Sequence, residues 1–234
     1  MVVSTRAVLL QHIKHNDNAL LLKLFTRDKG LITAYIRNSS TKTRRSVKWQ
    51  ILDLVDVSLV FKESSDICGI KESSYVPAAN SRYFDPVKLS LSYFLAEILL
   101  KIISEKYIPN DELFEFTLEA LERIEESKEG TGELPLIFLV ELSDLLGIRP
   151  KVNAVPQVFN LSEGTIDETA YGLQSISIPE VEEVAFYLQN GTFRQRPTKD
   201  QRVKMLQLML DFYKYQMHSF IEIKSLPVLK EVLN

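Results

Sequence analysis

Ala19-Leu-Leu-Leu-Lys-Leu-Phe-Thr-Arg-Asp-Lys-Gly-Leu-Ile-Thr-Ala-Tyr-Ile-Arg37 runs directly into Asn38-Ser-Ser-Thr-Lys-Thr-Arg-Arg-Ser-Val-Lys48, and the fold turns on this passage. Ala19–Thr26 and Leu31–Arg37 are apolar runs of strand length. Between them Arg27-Asp-Lys-Gly30 is a tight turn whose glycine can take a positive φ. Upstream, Val2–Lys14 is a β-branched, apolar run that ends at the turn formers His15-Asn-Asp-Asn18. Downstream, Trp49–Lys62 reads as a fourth strand, with Val55, Val57, Leu59 and Phe61 alternating onto one face. Glu63-Ser-Ser-Asp66 turns the chain and Ile67–Tyr75 makes a fifth strand. Five strands with a long third-to-fourth connection fit a small closed β-barrel, of which the OB-fold is the commonest.

That long connection is itself informative. Arg37–Lys48 holds five basic residues and no acidic one. Residues 1–80 carry 12 Lys and Arg against 7 Asp and Glu, a formal +5, whereas 81–234 carry 16 against 24, a formal −8. Such asymmetry predicts that the first part meets a polyanion, because each phosphate neutralised by Lys or Arg releases counterions. The competing reading is a solvated loop whose charge serves solubility. Arg37, Lys42, Arg44, Arg45 and Lys48, with Arg27 and Lys29 from the neighbouring turn, are the candidate contacts to nucleic acid. Phe25, Tyr35, Trp49 and Phe61 are candidate stacking platforms. Phe25 and Phe61 also suit the barrel interior, whereas Trp49, flanked by Lys48 and Gln50, is the candidate included in the DNA-binding set.

Beyond Pro77 the period changes from 2 to 3.6. Asp85-Pro86 is a helix-start signal, followed by Leu89, Tyr93, Ala96, Leu99, Leu100 and Ile103 at helical spacing. Asn110 can cap a second helix that turns Leu113, Phe114, Leu118, Leu121 and Ile124 inward. Glu126–Glu133 reads as a polar linker. Pro135–Leu146 is an almost wholly apolar helix ending at Gly147, so it belongs at the centre of a helical domain. Residues 148–178 have no helical period and form an irregular, partly β insertion. Glu180–Gln189 is a short helix, Thr198 with Gln201 opens a long one to about His218, and Leu226–Leu233 closes the chain. The class is α+β: a domain over 1–80 with a five-stranded OB-fold, then a helical domain over 81–234.

The chemistry-bearing inventory excludes much. No P-loop, G-x-G-x-x-G, G-x-S-x-G or H-E-x-x-H occurs. His12 and His15 would point to opposite faces of a strand. The single cysteine, Cys68, allows neither an internal disulfide nor a cysteine zinc cluster. The longest apolar run, around Phe94–Ile103, is broken by Glu97 and Lys101 and is too short for a membrane span. No secretory signal is recognisable, so a cytoplasmic location is expected. No cofactor, no metal and no enzymatic turnover are expected. A second basic group, Arg194, Arg196, Lys199, Arg202 and Lys204, straddles the start of the long helix, where cations oppose the helix dipole and an anion is favoured.

Several segments carry a likeness to a known family: Ala7-Val-Leu-Leu10 leading into Leu20–Leu24 and Phe25-Thr-Arg-Asp-Lys-Gly30; Phe138-Leu-Val-Glu-Leu-Ser-Asp-Leu-Leu-Gly-Ile-Arg-Pro150; Phe159-Asn-Leu-Ser-Glu-Gly164; and Phe220-Ile-Glu-Ile-Lys-Ser-Leu-Pro-Val-Leu229. Their order and spacing resemble the bacterial DNA repair and recombination mediator family RecO over essentially the whole chain. The resemblance implies an N-terminal OB-fold followed by a helical domain, without catalysis. It further implies binding of single- and double-stranded DNA, strand annealing, and work with RecR to load the recombinase RecA onto strands coated by single-strand binding protein (SSB). A nucleoid-associated location would go with this. The family's helical domain captures the acidic, Phe-ending tail of SSB, for which the Arg194–Lys204 group is the most suitable local charge, with Phe193 or Leu206 beside it for the terminal ring; the competing reading is that these cations pair with the acidic helices of their own domain. Many members hold zinc on four cysteines after the Leu-Gly-x-x-Pro segment. Here Lys151–Phe159 has no cysteine, so zinc is not carried over and Val152, Val155 and Phe159 are expected to pack in its place. The alternatives are a protein–protein adaptor whose barrel does not bind nucleic acid, and an RNA-directed OB protein.

Overall fold

The structure, a computed structural model, describes residues 1–16, 19–37, 49–61, 66–76, 84–103, 110–127, 132–153, 155–217 and 222–232. The chain divides into two compact units, Met1–Glu126 and Ser127–Asn234.

The first unit holds β1 (Val2–Asn16), β2 (Ala19–Thr26), β3 (Gly30–Arg37), β4 (Leu54–Val60), β5 (Ile67–Tyr75), α1 (Pro86–Ile102) and α2 (Asp111–Glu126). The strands close a barrel in the order β1-β2-β3-β5-β4, with β3 and β5 parallel. This is the OB-fold. β1 is long enough to serve two neighbours. Val2 to Val8 pair with β4, and from Ala7 onward it pairs with β2, with a register shift between Leu9 and Gln11. Such a bulge lets one strand bend around the barrel. Alternation then sends Ala7, Leu9, Leu22, Leu24, Ala34, Val55, Val57, Leu59 and Cys68 into one core.

The fourth strand begins later than its alternation predicts, at Leu54 rather than Trp49. Asp53 is the cause. Its Oδ2 accepts from the Gln50 amide at 2.8 Å and its own amide donates to Gln50 O at 3.0 Å. Leu52 sits between them at φ 64, a left-handed conformation held by complete burial and by a 2.7 Å bond from its amide to Leu9 O.

α1 starts as its signal predicts: Asp85 Oδ1 accepts from the amides of Val87 and Lys88. Asn110 Oδ1 likewise accepts from Leu113 N at 3.1 Å at the start of α2. Both helices belong to the same compact unit as the barrel, which therefore extends past the expected boundary at residue 80. The contact that explains this is Phe25 against Phe114, rings edge to face at 5.4 Å.

The second unit holds α3 (Leu134–Leu145), β6 (Lys151–Val152), β7 (Val158–Asn160), β8 (Thr165–Asp167), β9 (Ser175–Ile176), α4 (Glu180–Asn190), α5 (Lys199–Gln216) and α6 (Leu226–Val232). α3 buries Leu136, Phe138, Leu139, Val140 and Leu142, as an apolar-all-round helix must. Tyr213 of α5 donates its hydroxyl to Leu139 O at 2.8 Å. The insertion is a four-stranded sheet, β6-β8-β7-β9, seated by the stacking of Phe159 on Phe212 at 5.5 Å. α5 opens on the capping box of Thr198 and Gln201.

Candidate nucleic-acid interface

Alternation along β1, β2, β3 and β5 gives the barrel an outer face that can be written down from the register. One row runs Gln11–Lys23–Thr33–Ile67 and the next Ile13–Leu21–Tyr35–Gly69. Leu22, Ala34 and Cys68 between them, and Leu20 and Ile36 beyond, face the core. Lys23 Nζ donates to Thr33 Oγ1 at 2.8 Å, and the rings of His15 and Tyr35 meet edge to face at 6.2 Å. Ile13 and Ile67 are 43% and 41% exposed, high for β-branched apolar residues. Toward the β2–β3 turn the same face is closed, because Phe25 and Leu31 are buried, Phe25 beneath Phe114 of α2.

The sequence-predicted contacts divide around this face. Lys29 is exposed at the tip of the β2–β3 turn, where Gly30 takes φ 66. Arg27 does not join it. Its guanidinium pairs with Glu115 and, at 3.6 Å, with Asp111, and lies 5.8 Å above the Phe114 ring. It clamps α2 to the barrel and is a structural residue. Arg37 closes β3 opposite Ala19. Lys42, Arg44, Arg45 and Lys48 lie outside the described residues. Trp49 is a correction: it is 9% exposed and part of the barrel core, which leaves no face for a base. A large apolar ring packed in this core gains more from burial than from an edge position. Phe25 is covered and Phe61 packs against the core, so among the four aromatic candidates Tyr35 alone joins the outer face.

The second basic group is already engaged. Arg194 pairs with Glu183 at 3.4 Å and lies over Phe186 at 4.7 Å. Arg196 and Arg202 share Glu133 Oε1 at 3.3 and 3.5 Å. Lys204 bridges Glu180 at 3.2 Å and Asp200 at 2.7 Å. Lys199 is exposed at the helix start. Of the apolar neighbours, Leu206 is buried and Phe193 stacks on Tyr187 at 4.5 Å. The charges meant for a partner's carboxylate therefore hold carboxylates of their own unit.

Two family models cover consecutive parts of the chain: Recombination protein O N terminal over residues 1–77 and Recombination protein O C terminal over 83–155. The chain belongs to the RecO family. Proteins named DNA repair protein RecO match it over their full lengths: 27% identical over 244 residues in Azobacteroides pseudotrichonymphae, and 25% over 242 and 246 residues in Flavobacterium psychrophilum and Bacteroides fragilis. Each pairing covers 100% of both chains. RecO proteins are DNA repair proteins, and the two RecO models meet between residues 77 and 83. Among the described residues, no helix is long and apolar enough to cross a membrane.

The zinc of many RecO proteins does not fit the residues present here. Among the described residues no group of three or more His, Cys, Asp or Glu is placed to hold a metal. Val152 and Phe159 are sheltered as expected, but Val155 is exposed. The tie across the small sheet is polar instead. Asp167 accepts from Thr165 Oγ1 at 2.6 Å, from Asn160 Nδ2 at 3.2 Å, and from Tyr171 Oη and Asn153 Nδ2. Asn160 Oδ1 in turn accepts from the Tyr171 amide and Ser175 Oγ. These donors, Thr165 first and Tyr171 next, hold the Asp167 carboxyl down at about 2. A folded pKa below the unfolded value means stability that is complete at neutral pH and lost as pH falls from about 4 toward 2. Asp167→Ala is expected to cost about 1 kcal/mol, because the Tyr171 and Asn153 donors are exposed and can turn to water while Asn160 Nδ2 keeps Thr169 O. Differential scanning calorimetry should show a melting temperature about 2–4 °C lower for the variant, and none of that shift for wild type in EDTA. A wild-type melting point that falls on chelation would show that a metal holds this sheet.

Proposed function

We propose that this chain is a non-catalytic DNA-binding mediator of recombinational repair, whose OB barrel grips the phosphate backbone without reading sequence. The reading further comprises annealing of strands and loading of recombinase onto SSB-coated DNA, in company with RecR and the SSB tail, in the cytoplasm at the nucleoid. The observation that carries it is the joining of a five-cation segment, 37–48, to an OB barrel, in a half-chain of formal charge +5. That segment departs from the end of β3, next to the exposed rows of the outer face. Support also comes from membership in a family of DNA repair proteins.

The adaptor reading rests on the acidic remainder of the chain, formal −8. Anisotropy titrations of labelled single-stranded DNA, duplex and RNA across a salt series separate the two. For the DNA-binding reading, log K falls linearly with log salt, by roughly 0.7 per phosphate contact for single strands and 0.9 for duplex. Failure to bind any DNA at low salt would leave the adaptor, and a clear preference for RNA would move the function to RNA.

A further inference from the structure

Along the chain the β2–β3 turn is basic, and in the fold it becomes acidic. Arg27 and Lys29 stand there with Asp28 alone opposing them, a formal +1. α2 then sets Asp111 and Glu115 against the Arg27 guanidinium, so that two cations meet three carboxylates. The turn itself is fastened from within. Thr26 Oγ1 donates to Gly30 O at 2.8 Å and accepts from the Lys29 amide at 3.1 Å, while Asp28 accepts from Thr5 Oγ1 at 2.5 Å. What α2 commits is one side chain, that of Arg27.

The packing of α2 depends little on that commitment. Leu113, Phe114, Thr117, Leu121 and Ile124 are buried, and the Phe114 ring meets Phe25. The side chains of Arg27, Asp111 and Glu115 are 40%, 77% and 48% exposed. Ion pairs open to water in this way add little to stability and are screened by salt. Their sign matters more, because a polyanion is repelled by a turn of net negative charge and drawn to one of net positive charge. We propose that the α2 contact is autoinhibitory: Asp111 and Glu115 withhold Arg27 from a DNA phosphate and keep the β2–β3 turn out of the DNA track. The inference rests on the DNA-binding reading and says where on the barrel that grip stops. A guanidinium released from the two carboxylates has the fork that suits a phosphate. Affinity differences among variants of one interface lie mostly in dissociation, so the mask shortens the stay of a bound strand.

Asp111→Asn with Glu115→Gln tests this, because both changes keep the shape and remove the charge. Labelled single-stranded DNA and duplex are titrated across a salt series. The double variant should gain up to one phosphate contact. The slope of log K against log salt would then steepen by up to about 0.7 on single strands and 0.9 on duplex, with binding at 0.1 M salt tighter by up to about 5- and 8-fold. Adding Arg27→Gln should abolish the gain, whereas Arg27→Gln alone should change neither slope. Glu122→Gln with Glu126→Gln removes two exposed charges from the same helix, roughly 10 Å or more further along its axis, and should leave the slopes as in wild type. Unchanged fluorescence of the buried Trp49 identifies folded variants. If the double variant fails that check, Glu115→Gln alone decides. Unchanged slopes and affinities in a folded variant of a protein that does bind DNA overturn the mask alone. So does a gain that survives Arg27→Gln, or one that the Glu122 and Glu126 pair matches. If neither wild type nor the double variant binds DNA at low salt, the mask falls together with the reading beneath it.

Discussion

Neutralising Lys42, Arg44, Arg45 and Lys48 together should weaken DNA binding by about two orders of magnitude at 0.1 M salt, whatever the sequence of the DNA. The magnitude comes from counterion release. Four cations removed would flatten the slope of log K against log salt by up to about three units, and by about two when long side chains do not all engage at once. A slope change of two corresponds, at 0.1 M, to about two decades of affinity, a difference that shrinks as salt approaches 1 M. Random, A-T-rich and G-C-rich duplexes should lose alike, because phosphate contacts carry no sequence information. Arg27 behaves differently. Its guanidinium is held by Asp111, Glu115 and the Phe114 ring, so Arg27→Ala should loosen α2 and leave the salt slope as it was. If the four-site variant keeps both affinity and slope, the adaptor reading becomes the better account of this protein.

What could be read from the sequence was whatever is decided within a few residues. Asp85-Pro86, the Thr198–Gln201 capping box and the Arg27–Gly30 turn each carry their own hydrogen-bond partners, and each structure forms where its signal stands. The start of β4 was misread for a local reason too. Trp49 and Ile51 fit a strand period, but the Asp53 carboxylate offers the Gln50 amide a turn, and burial holds Leu52 left-handed. Long-range pairs were beyond reach. Nothing near Phe25 in sequence announces Phe114, so the attachment of α1 and α2 to the barrel needed the fold.

Glu133→Ala should lower stability by about 2–4 kcal/mol, the second large effect expected, at a position that reads in sequence as the end of a polar linker. Its side chain is 9% exposed at the start of α3 and takes Arg196 and Arg202 on one oxygen. Arg196 is mostly in water and loses little when its partner goes. Arg202 is only 20% exposed, also donates to Pro197 O at 3.0 Å, and would be left as a nearly buried cation without its carboxylate. Gly132 belongs to the same arrangement: a Cβ there would stand 2.6 Å from Arg202 Nε, so a side chain at 132 would push the guanidinium aside. Thermal unfolding should therefore show a melting temperature lower by about 5–15 °C, at 2–4 °C per kcal/mol for a chain of this size. The consequence reaches the proposed capture of an acidic partner tail. Arg202→Glu with Lys204→Glu would set like charges against Glu133 and Glu180, so any loss of tail affinity in that variant could come from unfolding alone. Lys199→Glu is the cleaner probe, because Lys199 is exposed at the helix start and should leave the melting point within about 1 °C of wild type, as surface changes do. Calorimetry with the tail peptide on Lys199→Glu then reads binding by itself. An unaltered melting temperature for Glu133→Ala would free the two arginines from this structural role and make them candidate partner contacts again.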